Sequence, residues 1–191
     1  MNIYEIDWRI SSIRRIAVAL SQGIDLVTRE LELSEESDDP NSPPFDPLDA
    51  AEHIENLLGI AFVTAQTYIT GTVSDVPKLT HSSSTPTKRQ LLQDFSDVLP
   101  GCNITKMELC DAIANYWKHH EEWDGWSSTP RNKRTLDILH AIGIEESEDF
   151  PCQKVANILW PQGWQNLDQL LELISEWRQR VIESYKLKLR T

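Results

Sequence analysis

The chain has 191 residues, a formal charge of −12 and a pI near 4.8, with 40% hydrophobic and 25% charged side chains. That size and balance suit a single packed domain and exclude wholesale disorder. The acidity provides no general basic surface for displacing counterions from a phosphate backbone, so the expected partner is a protein, preferably a basic one, rather than nucleic acid. Three cysteines, Cys102, Cys110 and Cys152, form no C-x-x-C and cannot all pair, so reduced thiols are expected rather than a disulfide framework or a zinc knuckle. The start, MNIYEIDWRI, has no basic region followed by an apolar run, and no apolar stretch approaches ~20 residues. A cytoplasmic protein that does not span a membrane is the expectation.

Only 7 Gly are present and β-type alternation is nearly absent, which points to an all-α chain. Ile3, Ile6, Ile10, Ile13, Ala17, Leu20, Ile24, Val27 and Leu31 recur at spacings of three and four, predicting a helix over about 2–33 with a heptad seam. That seam would pack inside a bundle or form a homodimer. From Glu30 to Asp49 there are eight acids and four Pro, so a mobile acidic loop is expected at about 33–47. A second helix should begin near Asp46 or Asp49 and carry Ile54, Leu57, Leu58, Ala61, Phe62, Ala65 and Ile69 as a wide apolar stripe. It should fade at Gly71 and end at Pro77, followed by a polar loop to about residue 87.

Shorter helices are predicted next: Lys88 to Leu99, stopped by Pro100-Gly101, and one opened by the capping box Thr105-x-x-Glu108. Others should start at Thr129-Pro130, ending at Gly143, and at Phe150-Pro151, ending near Trp160. A last helix from Asn166 repeats the heptad rhythm at Leu167, Leu170, Ile174, Trp177 and Val181. Its basic end (Arg178, Arg180, Lys186, Lys188 and Arg190) suits the helix dipole, a contact with the acidic loop, or a partner. The architecture expected is one irregular up-and-down helical bundle over residues 1–191, with long heptad-patterned helices at both ends.

The densest run of chemically capable side chains is Asn115 to Trp126. On a helix, Asn115, Lys118, His119 and Glu122 form one stripe, while Ile113, Ala114 and Trp117 face inward. Lys118 beside His119 could hold an anionic group, and His119 could move a proton near neutral pH. Trp123 and Trp126, read as exposed, would extend this stripe into a binding surface. The alternative is a hydrogen-bonded corner of the bundle. No Glu-x-x-His, His-Glu-x-x-His, nucleophile elbow, P-loop or dinucleotide fingerprint occurs, so neither metal nor cofactor is expected. His53 and His81 read as surface or loop residues.

An all-helical chain of this length with Asn115-x-x-Lys118-His119 on a central helix resembles the HEPN superfamily of prokaryotic helical-bundle proteins, over about residues 46–140. The resemblance implies a place in toxin–antitoxin or antiviral systems. Active members carry an Arg followed by a His, and here the match is Arg134 and His140, with Thr135 where a polar Asn, Asp or His is usual. Two readings follow. The first is a non-catalytic, acidic, protein-binding component of bacterial stress or conflict biology, antitoxin- or immunity-like. The second is a HEPN-type metal-independent ribonuclease acting as a dimer, with Arg134 and His140, or Lys118 and His119, carrying the chemistry.

Overall fold

Apolar residues at three- and four-residue spacings form seven α-helices: α1 (Ile10–Glu35), α2 (Pro47–Thr80), α3 (Lys88–Asp94), α4 (Lys106–His119), α5 (Lys133–Ala141), α6 (Pro151–Leu159) and α7 (Asp168–Lys188). A 3₁₀ turn, Ile3–Glu5, precedes them. The computed structural model describes residues 3–35, 46–80, 86–123, 125–161, 163 and 165–188. Among these there is no strand, only an isolated antiparallel bridge between Val98 and Thr105. The all-α bundle is therefore as the sequence reading has it.

Helix α2 is the axis. It spans 34 residues, about 51 Å at 1.5 Å per residue, and touches α1, α3, α4, α6 and α7. Its wide stripe is buried as expected: Ile54, Leu58, Ala61, Phe62, Ala65 and Ile69 all lie in the core. By length and composition, Pro47–Leu79 passes for a membrane span, contrary to the sequence expectation, but half of its most apolar window is buried inside the bundle. Leu57 lies against Gly23 midway along α1, and Gly71 lies against Arg9 just before its start, so α1 and α2 run antiparallel. The seam residues Ile13, Ala17 and Ile24 are buried, and Ile10, Leu20 and Val27 pack partly against the same core. The seam is therefore occupied within the chain. In α7, Leu170, Ile174, Trp177 and Val181 are buried as the heptad pattern implies, and the Trp177 indole donates to the Leu91 carbonyl at 3.0 Å.

Three expectations are corrected. The first helix begins at Ile10, not residue 2, and Ile6 is 44% exposed. The cause is a polar clamp. Asp7 accepts from the Ile10 N–H at 3.3 Å and from the Tyr68 hydroxyl, and Arg9 grips Asp75 with both terminal nitrogens at 2.5 and 3.1 Å. Arg178 of α7, expected at a basic solvated end, is instead 3% exposed, with Nε 3.5 Å from Asp7 and Nη2 3.5 Å from Asp75. It also donates to the carbonyls of Tyr4 and Ile6 at 2.9 and 3.2 Å. Burial, and then the Asp7 carboxylate, push the Tyr68 phenol far above its ordinary value, so it remains a donor. Arg180 and Lys186 pair with Asp97 and Glu5. Arg190 lies outside the described residues.

The second correction is that α2 runs through Gly71 and Pro77. An interior Pro costs ~3 kcal/mol through its missing N–H and its clash with the preceding turn. Burial of Thr72, Asp75, Val76 and Leu79 on that stretch, at ~1.5–3 kcal/mol for each large apolar side chain, offsets it. Gly71 is needed because a Cβ there would sit 2.6 Å from Arg9 Nε. The expected loops shrink accordingly: residues 33–35 and 75–80 are helical, while 36–45 and 81–85, with His81, lie outside the described residues. Third, the Lys88 helix stops at Asp94, because Leu99 N–H donates to the Ile104 carbonyl at 2.8 Å and Lys106 N–H to the Asp97 carbonyl at 2.9 Å.

Asp75 is fully buried between two guanidinium groups, so removing it leaves Arg9 without its carboxylate and Arg178 with Asp7 alone. Asp75→Ala is expected to lower unfolding free energy by ~3–5 kcal/mol in urea titrations. Arg14→Ala, which breaks the exposed pair with Asp168, should stay within ~1 kcal/mol of wild type.

Candidate functional site

Helix α4 positions the stripe singled out from sequence. Its capping box forms as expected: Thr105 Oγ accepts from the Glu108 N–H, and Glu108 accepts from the Thr105 N–H, each at 3.2 Å. Met107, Leu109, Cys110, Ile113 and Ala114 fix the helix in the core. Trp117 is half-buried and lies flat over Gly59, where a Cβ would come within 2.2 Å of the indole. The helix ends where His120 Nδ1 lies 3.2 Å from the carbonyls of both Tyr116 and Trp117. Facing two acceptors, that nitrogen donates, so the His120 ring caps the end of the helix.

The stripe does not converge on one point. Asn115 Oδ1 accepts from Gln66 of α2 at 2.9 Å, and the same amide donates to Asp111 at 2.7 Å, which Lys88 holds at 2.5 Å. Lys118 is exposed. His119 Nδ1 lies 3.3 Å from Glu122 on an open surface. Trp123 and Trp126 are half-buried rather than exposed. They pack on Tyr116 at centroid distances of 6.0 and 5.6 Å, and His120 stacks on the same ring at 4.9 Å. This aromatic knot explains much of the density of the segment: three rings shelter the end of α4.

A groove of about 770 Å³ opens beside the knot. Asn115, His119, Glu122 and Trp123 line one side. Across it stand Thr129, Pro130, Arg131 and Thr135, from the entry to α5. Lys118 and Trp126 do not line it. The sequence reading took Thr129-Pro130 as a helix start only. Its missed signal is that Arg131, Lys133 and Arg134 make a basic run in an acidic chain.

Arg134 and His140, the first pair proposed for ribonuclease chemistry, have different partners. Arg134 pairs with Glu108 in the first turn of α4 at 3.2 Å. His140 packs on Trp126 at 5.1 Å, and Trp126 rests on Tyr116 near the last turn of α4. Glu108 and Tyr116 are eight residues apart, about 12 Å along the helix. Among the described residues no three His, Cys, Asp or Glu side chains gather as a metal-binding group. The thiols of Cys102, Cys110 and Cys152 are all free.

A second surface was not anticipated. The first N–H groups of α6, at Cys152 and Gln153, donate to the buried Glu55 carboxylate at 2.6 and 3.0 Å, and the Gln153 amide donates to the Ala51 carbonyl at 2.8 Å. These bonds bring the loop before α6 to the first turns of α2. The loop exposes Glu145, Glu146 and Asp149, with Glu146 accepting from the Trp126 N–H at 3.4 Å, and the start of α2 exposes Asp49 and Glu52 with Asp46 just before it. Lys154 is held locally, by Glu148 and the Gly143 carbonyl. One end of the bundle is thus an acidic face.

A scan of the chain against protein-family models gives no match, and searches of curated proteins and of solved structures give none either. Any functional reading therefore stands on the geometry above.

Burial raises the Glu55 carboxyl above its ordinary 4.5, with the Cys152 and Gln153 N–H groups opposing that shift. A carboxyl raised in the folded state binds its proton more tightly there. Its contribution is fully present below the unfolded value and is lost as pH rises through the folded one. The stability of wild type relative to Glu55→Gln should thus be greatest in acid and decline as pH climbs above 4.5. Denaturant titrations of both proteins across that range check the sign; a difference that grows with pH would contradict it.

Proposed function

We propose that this chain is a non-catalytic binding protein whose acidic end engages a basic protein partner. The observation carrying this reading is the acidic face formed where the Glu55–α6 contact joins the 145–149 loop to the start of α2. Six exposed carboxylates on two elements, in a chain of charge −12, complement a cationic surface and steer its approach. The separation of Arg134 from His140, and of Lys118 from the groove, gives the ribonuclease reading no assembled site within one chain. An antitoxin- or immunity-like role in bacterial stress or conflict systems is the concrete form proposed, and that setting rests on the HEPN resemblance alone.

Binding to a strongly basic probe protein, followed by calorimetry over a salt series, tests the reading. Replacing Glu145, Glu146 and Asp149 by their amides should weaken binding about tenfold, three exposed pairs at ~0.5 kcal/mol each. Amide replacement of Glu172, Glu176 and Glu183 on α7 should leave it nearly unchanged. Equal losses from both sets would reduce the effect to net charge and overturn the assignment. RNA cleavage in metal-free buffer that His119→Ala or His140→Ala abolishes would favour the enzyme instead.

A further inference from the structure

The groove beside α4 differs from the acidic end in holding an exposed arginine. Arg131 is exposed on its wall and pairs with no carboxylate among the described residues. The next cations in the chain are held by neighbours: Lys133 by Asp137 and Arg134 by Glu108, each at 3.2 Å. A groove-lining arginine left unpaired in a chain so rich in carboxylates is available to a carboxylate from outside, which a guanidinium can grip with two parallel bonds. At the start of α5, Asn132 turns its side chain back to the Thr129 N–H at 2.6 Å and the Ser127 carbonyl at 3.1 Å, so it gives α5 no side-chain cap.

The rest of the lining is of a different character. Trp123 and Pro130 provide apolar contacts from the two sides, while Asn115 and Thr135 offer neutral donors and acceptors of the kind that match peptide N–H and C=O groups. Glu122, tied to His119, places a negative charge on the same rim. A polyanion would meet that charge and the field of the whole chain, whereas one or two carboxylates within an otherwise neutral segment would not be excluded. At about 770 Å³ the groove falls within the range of ligand clefts, roughly 300–1,000 Å³, so it takes a short segment and not a domain face.

We infer that this groove binds a short extended peptide segment, with an aspartate or glutamate on Arg131 and an aromatic or proline side chain against Trp123 and Pro130. The site is separate from the acidic face, and its test uses no basic partner, so either can fail alone.

The probe is a fluorescein-labelled peptide, Gly-Asp-Phe-Asp-Ser-Gly, titrated with the full chain and followed by anisotropy. Saturable binding is expected, weakened about tenfold or more by Arg131→Ala and by exchange of the peptide aspartates for asparagine. Lys133→Ala, outside the groove, should leave it unchanged, and circular dichroism checks that each variant is folded. Arg131→Lys should recover only part of the loss, since an ammonium cannot reproduce the two-pronged contact. Lack of saturable binding, or equal affinity in wild type and Arg131→Ala, overturns the inference. A labelled oligouridylate that binds more tightly and displaces the peptide overturns the assignment of ligand class.

Discussion

The buried ionic clamp of Asp7, Arg9, Asp75 and Arg178 is the constraint on which the rest of this bundle depends. Charges taken out of water cost several kcal/mol each, and mutual attraction offsets that only with good geometry and saturated hydrogen bonds. Here that requirement is met in part: Arg9 meets Asp75 with two nitrogens and Arg178 adds two backbone carbonyls to two carboxylates, while Arg178 Nη1 is buried without a hydrogen-bond partner. Such a cluster contributes less net stability than its contacts suggest, but it admits only one arrangement. It fixes how residues 3–9 meet the bundle, where α1 begins and how deeply α7 is seated. It also holds α2 helical across a glycine and a proline, which local preference alone would have broken.

With α2 helical along its whole length, the other half of the molecule follows. Gly59 admits the Trp117 ring, and Gln66 draws in Asp111 and Asn115, so α4 is locked along α2 by one close approach and one amide network. The end of α4 then presents Tyr116 as the platform for His120, Trp123 and Trp126, and their packing leaves the groove beside it. Further along α2, Glu55 serves as a cap for α6 supplied from another helix, and that contact gathers the exposed carboxylates at one end. The acidic face and the groove with its unpaired arginine are therefore both by-products of how α2 is dressed. They lie on different elements, one lined by carboxylates and the other holding an exposed arginine.

What could be read from the sequence was whatever is enforced within a few residues. The three-four spacing of Ile13, Ala17, Leu20, Ile24 and Val27 gave α1 its buried face, and Thr105 with Glu108 gave α4 its start, because both signals act over one or two turns. Pro77 was misread for the same reason: its penalty is local, while the burial of Asp75, Val76 and Leu79 that outweighs it comes from partners distant in the chain. Asp7 and Tyr68 are 61 residues apart, and Arg178 and Tyr4 are 174 apart, so no spacing rule could pair them. In the candidate site, helical phase correctly turned Ile113 and Ala114 inward, yet it grouped Lys118 with Asn115 and His119. The groove is closed by residues 129–135, whose approach depends on tertiary packing, and the stripe alone could not show that Lys118 would be left outside it.

Hydrogen exchange on a chain lacking residues 1–9, compared with the full chain, tests the clamp most directly. Without Arg9 and Asp7, the amides of α2 from Gly71 to Thr80 and those around Arg178 in α7 should lose protection, while α4, α5 and α6 keep theirs. Unchanged protection beyond Gly71, or a uniform loss across all seven helices, would contradict the central role given to this network.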